Sequence, residues 1–120
     1  MRGATVLTEE QLLAVLTAVA NPQRLRVIAE LNGGRIHVSE LARRLGMSRP
    51  LLYMHLDKLE KAGLVAGQLE LSGDGKAMKY FELAPFEVRL TADTIAAALA
   101  ASAAGGDGHT TDTDTKASDR

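Results

Sequence analysis

The sequence predicts a mainly α domain of five helices with a two-stranded hairpin set before the last of them. Three observations lead there. Apolar residues recur at helical spacing from Leu12 to Leu59. Asn-Pro and Gly signals cut that run into four pieces. Between residues 64 and 83 the apolar period changes from 3.6 to 2 around Asp74-Gly75.

The first helix opens at Thr8, where Gln11 three residues on completes a capping box and Glu9 and Glu10 suit the positive first turn. Leu12, Leu13, Val15, Leu16 and Val19 form its apolar stripe. Asn21-Pro22 ends it and starts the second, because Asn caps well and Pro suits the first helical position. Leu25, Val27, Ile28 and Leu31 follow, and Gly33-Gly34 stops the run. A third helix spans 39–45 with Leu41, Ala42 and Leu45 inward, closed by Gly46 where φ > 0 is wanted. Ser48 caps a fourth at once. It runs to about Ala62, with Leu52, Leu56 and Leu59 inward, His55 beside them, and Gly63 as its stop.

Two strands, 64–71 and 77–83, flank Ser72-Gly73-Asp74-Gly75-Lys76, and Asp-Gly between such runs is a strong hairpin signal. Pro85 ends the second. The last helix is read over 87–103, alanine-rich, with Leu90, Ile95 and Leu99 as its large apolar residues. Residues 1–7 read as a flexible N-terminus, 8–103 as one domain, and 104–120, made largely of Gly, Asp, Thr and Ser, as a disordered acidic tail.

Composition narrows function by exclusion. The 120 residues contain no cysteine, so disulfides, thiolate metal sites and cysteine nucleophiles are ruled out. No apolar run approaches the ~20 residues of a membrane span, and the N-terminus lacks a signal pattern, which makes a cytoplasmic location the expectation. Nor is there a Gly-rich phosphate loop, a paired-carboxylate region, or a His with a nucleophile at recognisable spacing; an enzyme is not expected. The net charge of −1 is uneven. Between Arg35 and Lys79 eight Lys/Arg stand against five Asp/Glu, whereas from Thr91 onward two stand against five. A basic middle suggests an anionic partner.

The order of elements gives that partner. Ser39-Glu40-Leu41-Ala42-Arg43-Arg44-Leu45-Gly46-Met47-Ser48-Arg49-Pro50 reads as a helix-turn-helix, and the following hairpin (64–84) as its wing. The recognition helix, 48–62, can enter a major groove with its first residues on base edges. Ser48, Arg49, Pro50, Leu51, Tyr53 and Met54 are the groove-facing candidates. Arg49 suits guanine or a phosphate equally well. Arg43, Arg44, Lys58 and the wing-tip residues Lys76 and Lys79 are candidate phosphate contacts.

The chain resembles the ArsR/SmtB family of winged-helix transcriptional regulators. The resemblance rests on residues 20–26, on 38–46, and on the run from Ser48-Arg49-Pro50 to Ala62-Gly63-Leu64-Val65. It implies a homodimer, paired through the first and last helices (Leu12, Leu13, Leu16, Ile95, Leu99), on a palindromic operator of double-stranded DNA. It also implies that a bound metal, nickel(II) or zinc(II), can release DNA, and that His55 is structural. Yet the family's metal ligands are largely missing. Its third-helix cysteines are matched by His37-Val38-Ser39, and its last-helix ligands by Asp93 with no histidine. His37 and His109 are the remaining weak metal candidates, and an effector or co-regulator protein is an alternative source of regulation. The family carries small polar or basic groups where this chain has Leu51, Tyr53 and Met54. Those three also fit a second reading, a winged-helix module that binds a partner protein through an apolar patch.

Overall fold

The computed structural model describes residues 6–106. The element order is α1 (Glu9–Val19), α2 (Pro22–Leu31), β1 (Ile36–His37), α3 (Val38–Leu45), α4 (Arg49–Lys61), β2 (Val65–Leu71), β3 (Ala77–Leu83) and α5 (Ala92–Gly106). The described residues fall into two compact units, one of residues 14–87 and one of residues 6–13 with 88–106.

In the 14–87 unit the caps form as the residue types dictate. Asn21 accepts hydrogen bonds from the backbone N–H groups of Gln23 and Arg24, with Pro22 in the first turn of α2. Gly46 takes φ +66° at the end of α3, a conformation that costs a residue with a Cβ more than it costs Gly. Ser48 then caps α4 by accepting from the Leu51 N–H at 3.3 Å. The core is aliphatic: Val27, Leu31, Ile36, Val38, Leu41, Leu45, Leu52, Leu56, Leu59, Leu64 and Val65 pack with one aromatic ring, Phe81.

The sheet differs from the expected hairpin. It has three strands in the order β1-β3-β2, because Ile36 and His37 pair antiparallel with Phe81 and Tyr80. A two-residue strand leaves no period to read, and here Ile36 is drawn in by burial beside Phe81. β2 and β3 pair in register from Val65↔Leu83 to Leu71↔Ala77. In the turn, the Ser72 N–H donates to the Lys76 carbonyl at 2.7 Å.

In the other unit Thr8 and Gln11 cap α1 reciprocally, backbone to side chain in both directions at 3.0 and 3.1 Å. The Glu9 N–H donates to Ser102 Oγ at 2.7 Å. The last helix begins at Ala92, not near residue 87, and reaches Gly106. Thr91 and Thr94 cap it with bonds of 2.8 and 3.0 Å, which sets the start, and Leu90 falls outside. The first three residues of the predicted disordered tail, 104–106, are helical as the end of α5, and the rest of it, His109 included, lies outside the described residues, as do residues 1–5.

Candidate nucleic-acid interface

Helix α4 is held by its inner face. Leu52, Leu56 and Leu59 are fully buried, and His55 beside them is only 2% exposed. The opposite face begins with Ser48, Arg49 and Pro50, all exposed, continues through half-buried Leu51, and presents Tyr53 and Met54 at 41% and 48% exposure. Six groove-facing candidates therefore share the first turns of one helix. The crossing of α3 and α4 that aims this face depends on the left-handed Gly46 and on the Met47 N–H, which donates to the Ala42 carbonyl at 3.1 Å.

The wing is joined to that face by aromatic contact. Tyr53 meets Phe81 edge-on with ring centroids 6.3 Å apart. The Phe81 ring in turn lies over Gly67, where an added Cβ would sit 2.8 Å from Phe81 Cε2. Lys79 does not lie at the tip, as the sequence reading had it. It pairs with Leu69, two rungs inside the last pair, with its ammonium 5.5 Å from the Phe81 centroid. Lys76 does lie in the turn, exposed. The outer sheet face carries a group that sequence reading missed: Arg35 over the Tyr80 ring at 4.2 Å, paired with Glu70 at 2.9 Å, and His37 edge-on to Tyr80.

The arginines expected to meet phosphates are engaged with neighbours. Arg43 donates twice to Glu40, from Nε at 2.9 Å and from Nη2 at 2.5 Å. Arg44 donates from Nε to the same carboxylate at 2.9 Å and lies 3.4 Å from Glu30. Those bonds, Arg43's first and Arg44's second, hold the Glu40 carboxyl down at about 2. Arg49 Nη1 donates to Ser39 Oγ at 2.9 Å. Lys58 is exposed on α4.

Behind the helix lies a buried polar relay. Arg24 Nε donates to the Ala18 carbonyl at 2.7 Å, its Nη1 lies 3.1 Å from His55 Nδ1, and His55 Nε2 lies 2.8 Å from Gln23 Oε1. Sequence reading placed His55 correctly in the packing. It gave Arg24 no role, because charged side chains are almost never buried unless partnered.

Among the described residues the donor set does not fit the metal sites that the resemblance implies. His37 spends Nδ1 on the Ser39 N–H at 3.2 Å, and Asp93 on α5 has no histidine with it. Among the described residues no three His, Cys, Asp or Glu side chains are grouped to hold an ion. Of the five predicted dimer-face residues, Leu13, Ile95 and Leu99 are exposed, Leu16 is half-buried and Leu12 is already covered within the chain. No helix of the described residues is long and apolar enough to cross a membrane.

Comparison with known proteins points the same way. Residues 21–66 match the family described as bacterial regulatory protein, arsR family. The chain is 39% identical over 70 residues to an uncharacterized HTH-type transcriptional regulator of Methanocaldococcus jannaschii, a stretch covering 58% of this chain and 73% of that protein. Reduced HlyU from Vibrio cholerae aligns with a TM-score of 0.55 at 26% identity, over 72% of this chain and 80% of that one. A homodimeric winged helix-turn-helix DNA-binding domain from Mycobacterium bovis shares the fold, with a TM-score of 0.54 at 24% identity over 82% and 80% of the two chains.

Proposed function

The chain belongs to the ArsR family of bacterial regulatory proteins, and on that premise we propose that it binds a palindromic operator as a homodimer through the first turns of α4. It is a winged helix-turn-helix transcriptional regulator, not an enzyme. The observation that carries the finer reading is the uncovered face Ser48–Met54, set on a helix whose other face is locked into the core. Arg49 leaves Ser39 to reach a guanine edge or a phosphate. Leu51, Tyr53 and Met54 offer apolar contact to thymine methyl groups. Lys76 meets the backbone beside the groove, with Arg43, Arg44, Lys58 and Lys79 adding phosphate contacts.

Pairing rests on the exposed apolar residues of α1 and α5, Leu13, Ile95 and Leu99. A two-fold dimer sets two recognition helices ~34 Å apart, one turn of DNA. A protein that works on DNA in this way acts in the cytoplasm. Because the family's usual metal donors are largely missing, regulation is assigned first to an effector or co-regulator protein, with a nickel- or zinc-linked response through His37 or His109 as the alternative.

The test is a fluorescence-anisotropy titration with DNA from the protein's own promoter region, run with EDTA, with nickel and with zinc. Selective binding that weakens steeply with salt and ignores metal is expected. A tenfold shift with metal would reinstate the metal-linked response. The exposed Tyr53 and Met54 also favour the second reading, an apolar contact with a partner protein. Absence of selective DNA binding at every salt concentration would replace the first reading with that one.

A further inference from the structure

The helix-turn-helix contains three arginines, and the first turn of α3 holds all of them. Glu40 takes Arg43 through Nε at 2.9 Å and Nη2 at 2.5 Å, and takes Arg44 through Nε at 2.9 Å. The adjacent Ser39 takes Arg49 at 2.9 Å. A carboxylate that receives the fork of a guanidinium in this way presents the same two-oxygen geometry as a phosphate. The fork of Arg43 is filled: while Glu40 occupies Nε and Nη2, a DNA phosphate cannot take the same pair of donors. The pairs are exposed, so water and ions reach them and exchange is open.

We infer that Glu40 is an internal phosphate mimic, a carboxylate that competes with DNA for Arg43 and Arg44 and so holds down the sequence-independent part of DNA affinity. This rests on the DNA-binding reading given above and assigns a role to a residue that reading does not use. Salt dependence follows from the same contacts. An arginine already neutralised by Glu40 releases fewer counterions when it meets DNA, so the logarithm of affinity falls less steeply with the logarithm of salt concentration. Base discrimination is untouched, because Arg43 and Arg44 lie on α3 and not on the recognition helix. Binding to DNA of any sequence is therefore lowered by a common factor.

The test compares the wild-type chain with Glu40→Gln on two short duplexes, one from its own promoter region and one of scrambled sequence, across a potassium chloride series. Glu40→Gln is expected to raise affinity for both duplexes by a similar factor, about threefold to tenfold at low salt, and to steepen the salt slope by about 0.9 for each arginine released. Glu40→Asp, which keeps the charge, should fall back toward wild type. Adding Arg43→Ala and Arg44→Ala to Glu40→Gln should erase the gain. Glu40→Ala supplies the same information should the glutamine variant fold poorly, as judged by circular dichroism. Equal affinity and slope for wild type and Glu40→Gln would overturn the inference while leaving the DNA-binding reading intact. Weaker binding by Glu40→Gln would also overturn it, by making Glu40 a support for the arginines. If neither protein binds either duplex, the DNA-binding reading itself falls, and this inference with it.

Discussion

Arg24 reaches across from α2 to place its Nη1 3.1 Å from Nδ1 of His55, inside the layer that supports the recognition helix. Arginine has only donors to offer, so Nδ1 must be the bare nitrogen and Nε2 must carry the proton it gives to Gln23 Oε1 at 2.8 Å. The ring is held neutral in one tautomer. Burial, then the charges of Arg24 and Lys58, push its pKa below the ordinary value for histidine.

The pH dependence follows with a definite sign. An unfolded chain binds a proton at His55 near pH 6.5 and the folded chain binds it only at lower pH. The neutral ring's contribution is thus complete above pH 6.5 and is lost as pH falls toward the depressed folded pKa. Urea midpoints at a series of pH values should be flat from about 8 to 7 and decline below about 6.5. His55→Gln should remove most of that decline, and a decline of undiminished size would assign it to another group.

Removing His55 altogether strands the Arg24 guanidinium. His55→Ala is expected to lose about 2–4 kcal/mol, the sum of a cavity and of a buried donor left without its acceptor. Equilibrium unfolding measures it directly, and a loss below about 1 kcal/mol would mean that water replaces the ring.

Gly67 should tolerate no side chain cheaply. Its Cβ would come within 2.8 Å of Phe81 Cε2 and 2.9 Å of Lys79 Cε, and the buried ring has little room to yield. Gly67→Ala is expected to destabilise by about 1–3 kcal/mol, and to weaken promoter binding as Phe81 displaces Tyr53. Gly73→Ala, where nothing lies within 4 Å, serves as the neutral comparison. Equal melting temperatures for the two variants would refute the packing argument.

Arg49 and Lys76 should fail differently. Arg49→Ala is expected to narrow the gap between promoter and scrambled DNA by about 1–3 kcal/mol. Lys76→Ala should weaken both and flatten the salt slope by about one phosphate. If neither variant changes affinity, the contacts are wrongly assigned.

Pairing is checked by putting charge on the exposed apolar residues of α5. Ile95→Glu with Leu99→Glu should convert a dimeric mass in light scattering to a monomeric one and cut operator affinity sharply, because one half-site then binds alone. A monomeric mass for the wild-type chain at micromolar concentration would end the dimer proposal.

Local chemistry made much of this molecule legible beforehand. Thr8 with Gln11, Asn21 before Pro22, Gly46 before Ser48 and the Asp74-Gly75 turn each act within four residues, and each formed where it was read. What escaped depends on distant partners. β1 exists only because Ile36 and His37 find Phe81 and Tyr80, far along the chain. Arg24 has no legible role in the sequence until His55 and the Ala18 carbonyl are placed around it. The late start of α5 escapes a sequence reading that counts Leu90 with Ile95 and Leu99 as one apolar set, while the decisive signal, Thr91 with Thr94, is a weaker cap than Asn or Asp. In the interface the stretch Ser48–Met54 was readable from type and order, whereas the hold of Glu40 on two arginines is a matter of side-chain geometry.

The short strand β1 has a mechanical consequence. Tyr80 and Phe81 are paired on both sides, to β1 and to β2, while Ala77, Met78 and Lys79 are paired to β2 alone. Stiffness is therefore graded along the hairpin, like a rod clamped at one end. Amide protons at the clamp should exchange with solvent more slowly than those toward Leu71 and Ala77, which hydrogen-exchange NMR would check. In the proposed complex with DNA the free end would bend to follow a backbone whose groove width varies with sequence, while the clamp would pass little of that bending to Phe81 and to the helix it braces.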